Sequence, residues 1–417
     1  MKVNRHIGDL SQGIRETLIL GSLIRSASAG TLQIAAILVL SVFVLSGVSA
    51  AHADTVTATV PVGLGPESIA FDSANGNLYV ANFVSATVSV LDGATNKVIA
   101  NVTVGSEVRG VAFDSANGDV YVADGNDNIV SVINGATNTV VARVTTVGYD
   151  PVGLAFDSTN GDLYVANANS NTVSVIDGAT NKAVENATVG TSPYGVAFDP
   201  ANGDVYVINS GVTATGSSPG TVSVINGATN TVVETVSVGT APFEAAFDST
   251  NGDVYVTNSG SNTTSVINGA TNTLVANVAV GNKPIGVAFD SANGNLYVAN
   301  SGSANAFGPG TVSVINGATN TAVATVGAGE SPWGVAFDST NGDVYVTNSV
   351  SSTVMVMSPG AASATTSSST AASTSQATTN GGGGVPEFPY QTLALTAFTI
   401  LIATTYLLIR KKSLLIE

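Results

Sequence analysis

The chain contains no cysteine, and its only two histidines, His6 and His52, both precede residue 54. Disulfides and thiolate chemistry are therefore excluded, and the body has no imidazole for general-base work or metal ligation. Charge is also scarce. Charged residues make up 10% of the sequence, and 12 Lys/Arg stand against 28 Asp/Glu, a formal net charge of -16. Between residues 54 and 360 the imbalance is five Lys/Arg against 24 Asp/Glu, so the body repels nucleic acid and anionic lipid. There is one tryptophan, Trp333. No glycine-rich phosphate loop follows a strand and opens a helix, and the body shows no helical periodicity.

What is abundant is Gly, Thr, Ser, Asn and Val, arranged as a repeat. The triplet Ala-Phe-Asp recurs seven times, with its phenylalanines at Phe71, Phe113, Phe156, Phe198, Phe247, Phe289 and Phe337. The spacing is 42 or 43 residues except where two copies carry insertions, which is the length of one propeller blade. Each copy reads as four short strands. Gly-Val-Ala-Phe-Asp alternates large and small side chains and suits an innermost strand a; Asp-Ser-x-Asn-Gly is a turn; Asp-Val-Tyr-Val is strand b. Thr-Val-Ser-Val-Ile is strand c, Asn-Gly-Ala-Thr-Asn turns the chain, and an alternating Val/Thr run is strand d.

The two ends of the array settle its closure. The seventh copy stops after strand c near Met357, whereas Val56 to Gly63 matches a strand d with no a, b or c before it. Pairing that first strand with the last three removes an exposed edge. The expectation is an all-β, closed seven-bladed propeller of four-stranded antiparallel blades over 54–360, flanked by N- and C-terminal hydrophobic helices.

Residues 1–53 hold a basic leader and an apolar run from Leu32 to Val48 ending in Ala51-His52-Ala53. That reads as a secretory signal cleaved before Asp54, with an uncleaved anchor as the competing reading. Residues 361–384 are Ser/Thr/Gly-rich with little to bury, a disordered stalk. Residues 385–417 contain an apolar run from Tyr390 to Ile409 followed by Arg410-Lys411-Lys412, which predicts a transmembrane helix with its tail inside and the propeller outside.

Tyr-Val-x-Asn begins at Tyr79, Tyr164, Tyr206, Tyr255, Tyr297 and Tyr345, twice as the literal Tyr-Val-Thr-Asn, with Asp124 replacing Asn in the second copy. The chain resembles the YVTN β-propeller repeat family of secreted and surface-layer proteins over roughly three quarters of its length. Pro386-Glu387-Phe388, placed before an apolar run and basic residues, resembles the PEF-type sorting signal handled by archaeosortases. That resemblance implies an archaeal cell surface and a C-terminal span that is removed and replaced by lipid.

Asp-Ser-x-Asn-Gly-Asp lacks the alternate oxygens and late Glu of an EF-hand loop, so Asp capping backbone N–H groups explains it better than calcium does, and no metal or other cofactor is expected. The Asn of Tyr-Val-x-Asn is expected to cap the b–c turn. The sharper signal is the position four before each phenylalanine, where the repeats diverge: Glu67, Arg109, Val152, Tyr194, Phe243, Ile285 and Trp333. Strand alternation brings this position to one face of the ring with Glu244, where other copies mostly have Gly, and with insertions at 211–220 and 302–310, the latter carrying Phe307. A recognition face for a surface protein, a glycan or a second copy of the chain is one reading; the other has Tyr194, Phe243 and Trp333 plugging the channel mouth. No catalytic residue is assigned. A hydrolase or lyase using Glu67, Arg109 and Glu244 is the alternative, and lateral self-association in a cell envelope a third. Asn101, Asn186 and Asn262 lie in glycosylation sequons.

Overall fold

In a computed structural model, the structure describes residues 54–145, 147–213, 216–217, 219–302 and 308–358. The leader, the stalk, the C-terminal apolar run with Pro386, Glu387 and Phe388, and Phe307 lie outside the described residues. No helix among the described residues is long and apolar enough to cross a membrane.

Seven four-stranded antiparallel sheets form the blades. In the first, strand a is Pro66–Asp72, b Asn77–Asn82, c Thr87–Asp92 and d Lys97–Thr103. The seventh contains Pro332–Phe337, Val344–Asn348 and Thr353–Ser358, completed by the N-terminal strand Thr55–Pro61. That strand pairs antiparallel with Thr353–Ser358, Val60 opposite Val354, as the repeat count requires.

Strand b is buried on both faces because each face packs on a different neighbour. Tyr79 and Ala81 pack with Val120 and Val122 of the second blade. Leu78 and Val80 face the other way, onto Tyr345 and Val356 of the seventh, in a cluster that also takes Val60. Strand d alternates between covered and exposed residues, as an outer edge should.

The insertions lengthen the outer hairpins. In the fourth blade strands c and d become Pro219–Asn226 and Thr231–Thr240, with a small extra hairpin, Val212–Thr213 against Gly216–Ser217. In the sixth they become Pro309–Asn316 and Thr321–Glu330.

The repeated turn residues also fasten blade to blade. The Asp72 carboxylate accepts from the Ala74 amide at 2.8 Å, and Asn75 Oδ1 from the Asn77 amide at 2.8 Å, the turn expected of Asp-Ser-x-Asn-Gly. Asn75 Nδ2 then reaches the Gly135 carbonyl of the second blade at 3.1 Å. The Tyr79 hydroxyl lies 3.1 Å from the same oxygen and 2.8 Å from Asn138 Oδ1. Gly135 must be glycine, since a Cβ there would stand 2.5 Å from the Gly118 carbonyl.

The Asn of Tyr-Val-x-Asn differs from expectation. Asn82 Nδ2 donates to the hydroxyls of Thr87 and Ser89 on strand c, at 3.2 and 3.0 Å, and Ser89 donates on to Asn101 Oδ1 at 2.7 Å. It ties strands b, c and d together rather than capping the b–c turn, because it is fully buried and the strand c hydroxyls are its nearest partners. In the second blade Asp124 accepts from Ser131 Oγ at 2.6 Å, and Arg143 replaces the strand d asparagine and donates to the same hydroxyl at 3.4 Å.

Candidate functional site

Each strand a is approached through one residue of positive φ: Gly65, Glu107, Asp150, Ser192, Ala241, Lys283 and Ser331. In six blades a proline follows it and in the second Val108. The next residue is the divergent one, so a rigid left-handed kink sets the same position in every blade.

All seven divergent residues line one cavity of about 160 Å³ on the ring axis, together with Ser68 and Glu244. The neighbouring inner strands approach closely: a Cβ on Gly110 would come within 2.0 Å of the Val152 carbonyl, and one on Gly286 within 2.2 Å of the Trp333 carbonyl. Gly153, Gly195 and Gly334 are hemmed in alike. Only Ser68 and Glu244 carry side chains at this level. Thr257, buried on strand b, positions Glu244. Its hydroxyl accepts from the Glu244 amide at 3.1 Å and donates to the Ile285 carbonyl at 2.6 Å.

The aromatic residues meet one another. Tyr194 and Phe243 have ring centroids 4.0 Å apart, and Phe243 meets Trp333 edge-on at 5.4 Å and 80°. Opposite them is a charged sector. Arg109 pairs with Glu107 at 3.2 Å and with Asp150 at 3.6 Å, stacks over Phe83 at 4.9 Å, and reaches the Tyr194 hydroxyl at 3.4 Å. Burial pushes Glu67 up to about 7, against the pull of Arg109, and burial pushes Glu244 up to about 7, with only the Ala245 amide opposing it. Burial, then the Glu67 charge, holds the Tyr194 phenol well above its ordinary range. Glu67 Oε2 is buried without a hydrogen-bond partner.

Glu67, Arg109, Tyr194, Phe243, Glu244 and Trp333 thus converge as their repeat positions predict. The sequons do not join them. Asn101 and Asn186 are exposed on strands d, each accepting from a strand c serine, and Asn262 is exposed with its Oδ1 holding the Lys283 amide at 2.8 Å. Beside the channel, a groove of about 420 Å³ is lined by Glu107, Asn126, Asn128, Tyr149, Asp150 and Asn169. The divergence at the entry to strand a does not mark it. Tyr149 is 69% exposed, and the signal for it was a second variable position, three before Val152, where the other copies carry Leu64, Ser106, Thr191, Thr240, Asn282 and Glu330. Among the described residues no group of three or more His, Cys, Asp or Glu is placed to hold a metal.

No family model matches the chain, and no curated protein does. Similarity is found among solved structures. Hydrazine synthase from Kuenenia stuttgartiensis superposes with a TM-score of 0.62 at 19% identity, covering 70% of this chain and 95% of that one. At that identity the likeness concerns the fold, which hosts many unrelated functions. What the comparisons and the geometry together show is a seven-bladed β-propeller.

Proposed function

We propose that the propeller is a non-catalytic binding module of the cell surface, with the channel mouth as its recognition site. One observation carries this reading. The residues that the seven repeats share are used up by the fold in turns, blade clasps and the strand b to d network, whereas the residues in which they differ surround one cavity. Selection of a ligand needs such non-equivalent groups, which a set of identical repeat residues does not supply. The YVTN-like repeats, the leader and the C-terminal apolar run with its Pro386-Glu387-Phe388 motif support export and anchoring, with the propeller outside. The ligand belongs to a surface protein or a glycan, and the neighbouring Tyr149 groove extends the surface available to it.

The test is capture of envelope proteins and glycans by the intact chain, purified in a mild detergent, beside a Trp333→Ala, Phe243→Ala double variant. Capture lost in the variant supports the reading. Capture that survives, or its absence in both, returns the aromatic residues to the role of a plug.

A hydrolase or lyase is the second reading, favoured by one fact: Glu67 and Glu244, both held near 7, share a cavity with Arg109. Carboxyls poised there can serve as general acid and base. Turnover of an envelope substrate that disappears in Glu244→Gln would establish it, and turnover that persists would remove it.

A further inference from the structure

We propose that the axial cavity binds a small organic ammonium group, held by the aromatic rings of Tyr194, Phe243 and Trp333 and by the carboxylates of Glu67 and Glu244. The inference rests on the recognition reading above and supplies its ligand class.

The cavity lining holds two carboxylates and one cation, Arg109. Arg109 is largely engaged outside the cavity: its guanidinium pairs with Glu107 and Asp150, neither of which lines the cavity, and lies over Phe83, while Nη1 reaches the Tyr194 hydroxyl at 3.4 Å. Glu244 has no cationic neighbour among the groups that act on it, and Glu67 Oε2 is buried without a partner. A buried carboxylate left in this condition either takes up a proton or receives a cation.

The aromatic residues choose the kind of cation. Rings set nearly perpendicular, as Phe243 and Trp333 are, can border an alkylated ammonium on more than one side, and aromatic rings attract such cations generally. A bare metal ion would gain little from them and would want more oxygen ligands than the two carboxylates offer. Size sets a further limit. About 160 Å³ admits one small organic cation and excludes a folded peptide or an oligosaccharide, so a larger ligand could insert only an ammonium-bearing tip. Glu67, Tyr194, Phe243, Glu244 and Trp333 are each partly accessible, so the cavity is not sealed.

Trp333 is the only tryptophan in the chain, and its fluorescence therefore reports on this cavity alone. The intact chain in detergent is titrated with tetramethylammonium chloride and with methylammonium chloride, against tert-butanol as the neutral isostere and sodium chloride at matched ionic strength. The expected result is a saturable change with an ammonium salt only, at least tenfold weaker in Glu244→Gln. The facing ionisable groups are Glu67, Glu244, Arg109 and Tyr194, with Glu107 and Asp150 behind Arg109, so binding should also weaken from pH 8 to pH 6 and release protons, read as a buffer-dependent heat in calorimetry. This last measurement needs no variant. No saturable change with either ammonium salt, an equal response to tert-butanol or sodium chloride, unchanged affinity in a folded Glu244→Gln, or no proton release overturns the proposal. Ammonium binding that fails while envelope capture still depends on Trp333 and Phe243 sinks this inference and leaves the recognition reading standing.

Discussion

The hydroxyl of Tyr345, in the seventh blade, lies 3.1 Å from the carbonyl oxygen of Gly93 in the first, across 252 residues of sequence. It is also 2.9 Å from Asn96 Oδ1, while Asn341 Nδ2 donates to the same Gly93 oxygen at 3.0 Å. Equivalent contacts join Tyr79 to Gly135, Tyr121 to Gly178, Tyr164 to Gly227, Tyr206 to Gly269 and Tyr255 to Gly317. The tyrosine of the repeat is therefore a clasp onto the following blade. The position of the seventh blade that Tyr297 would meet lies beyond Ser358, outside the described residues; its hydroxyl accepts from Asn293 at 3.1 Å, as that of Tyr345 does from Asn341 at 3.0 Å.

Tyr345→Phe removes one clasp hydroxyl and leaves the rest of the buried ring in place. The expected cost is about 1–2 kcal/mol, one buried hydrogen bond and a less satisfied carbonyl. Tyr79→Phe should cost the same, since the clasp at the closure repeats the one between the first two blades. Denaturant unfolding of the two variants measures both. A much larger loss for Tyr345→Phe would mean that the closing interface is held differently from the others.

Deleting residues 54–63 takes away the strand that completes the seventh blade. It opens the hydrogen-bonding edge of Thr353–Ser358 and removes Val60 from the cluster between the seventh and first blades. The loss should amount to several kcal/mol with a tendency to aggregate, because an unpaired edge templates association. Melting and light scattering of the truncated chain are the check. A truncated chain that melts with the parent would refute closure by the N-terminal strand.

The second blade carries two linked departures from the repeat, Asp124 and Arg143. Burial pushes Asp124 up to about 6, and its hydrogen bonds from Ser131 and Gly105 and the Arg143 charge oppose that rise. Arg143→Asn alone should destabilise by roughly 0.5–1 kcal/mol, since it leaves a buried carboxylate with less compensation. Adding Asp124→Asn should restore the loss, for the pair then reproduces Asn82 with Asn101, Asn167 with Asn186, and Asn258 with Asn277. A double-mutant cycle in urea gives the coupling directly, and additive single effects would show that the two departures are independent.

The fold was legible because local signals and count agreed. Seven Ala-Phe-Asp triplets set the blades, Asn-Gly turns set the hairpins, and the unmatched Val56 to Gly63 set the closure. The gathering of Glu67, Arg109, Tyr194, Phe243 and Trp333 was legible for the same reason, since equivalent positions in a ring must share a radius. The tyrosine clasp was not, because the hydroxyl's partners lie in the next repeat and no spacing within one repeat encodes a contact between two. Nor was the part played by Asn82, whose burial depends on how strands b, c and d stack. The pairing of Arg109 with Glu107 and Asp150 depends on two left-handed residues in successive blades, and periodicity says nothing of their side-chain directions.

Glu67 and Glu244 make stability depend on pH in a definite direction. Their folded values near 7 stand above the ordinary 4.5, so between those limits the folded state binds more protons than the unfolded chain. Their stabilising contribution is complete below about pH 4.5 and is lost as pH rises through 7. The melting temperature of the ligand-free protein should therefore fall between pH 5 and pH 7.5. Relief of general repulsion in so acidic a body gives the same sign, so the slope alone decides nothing. The Glu67→Gln, Glu244→Gln double variant separates the two causes. It retains every other carboxylate, lacks the buried pair, and should show a distinctly shallower fall together with a higher melting temperature at pH 7.5. Parallel curves for parent and variant would place the pH dependence on the surface charges and mean that the two channel carboxylates titrate as ordinary solvated groups.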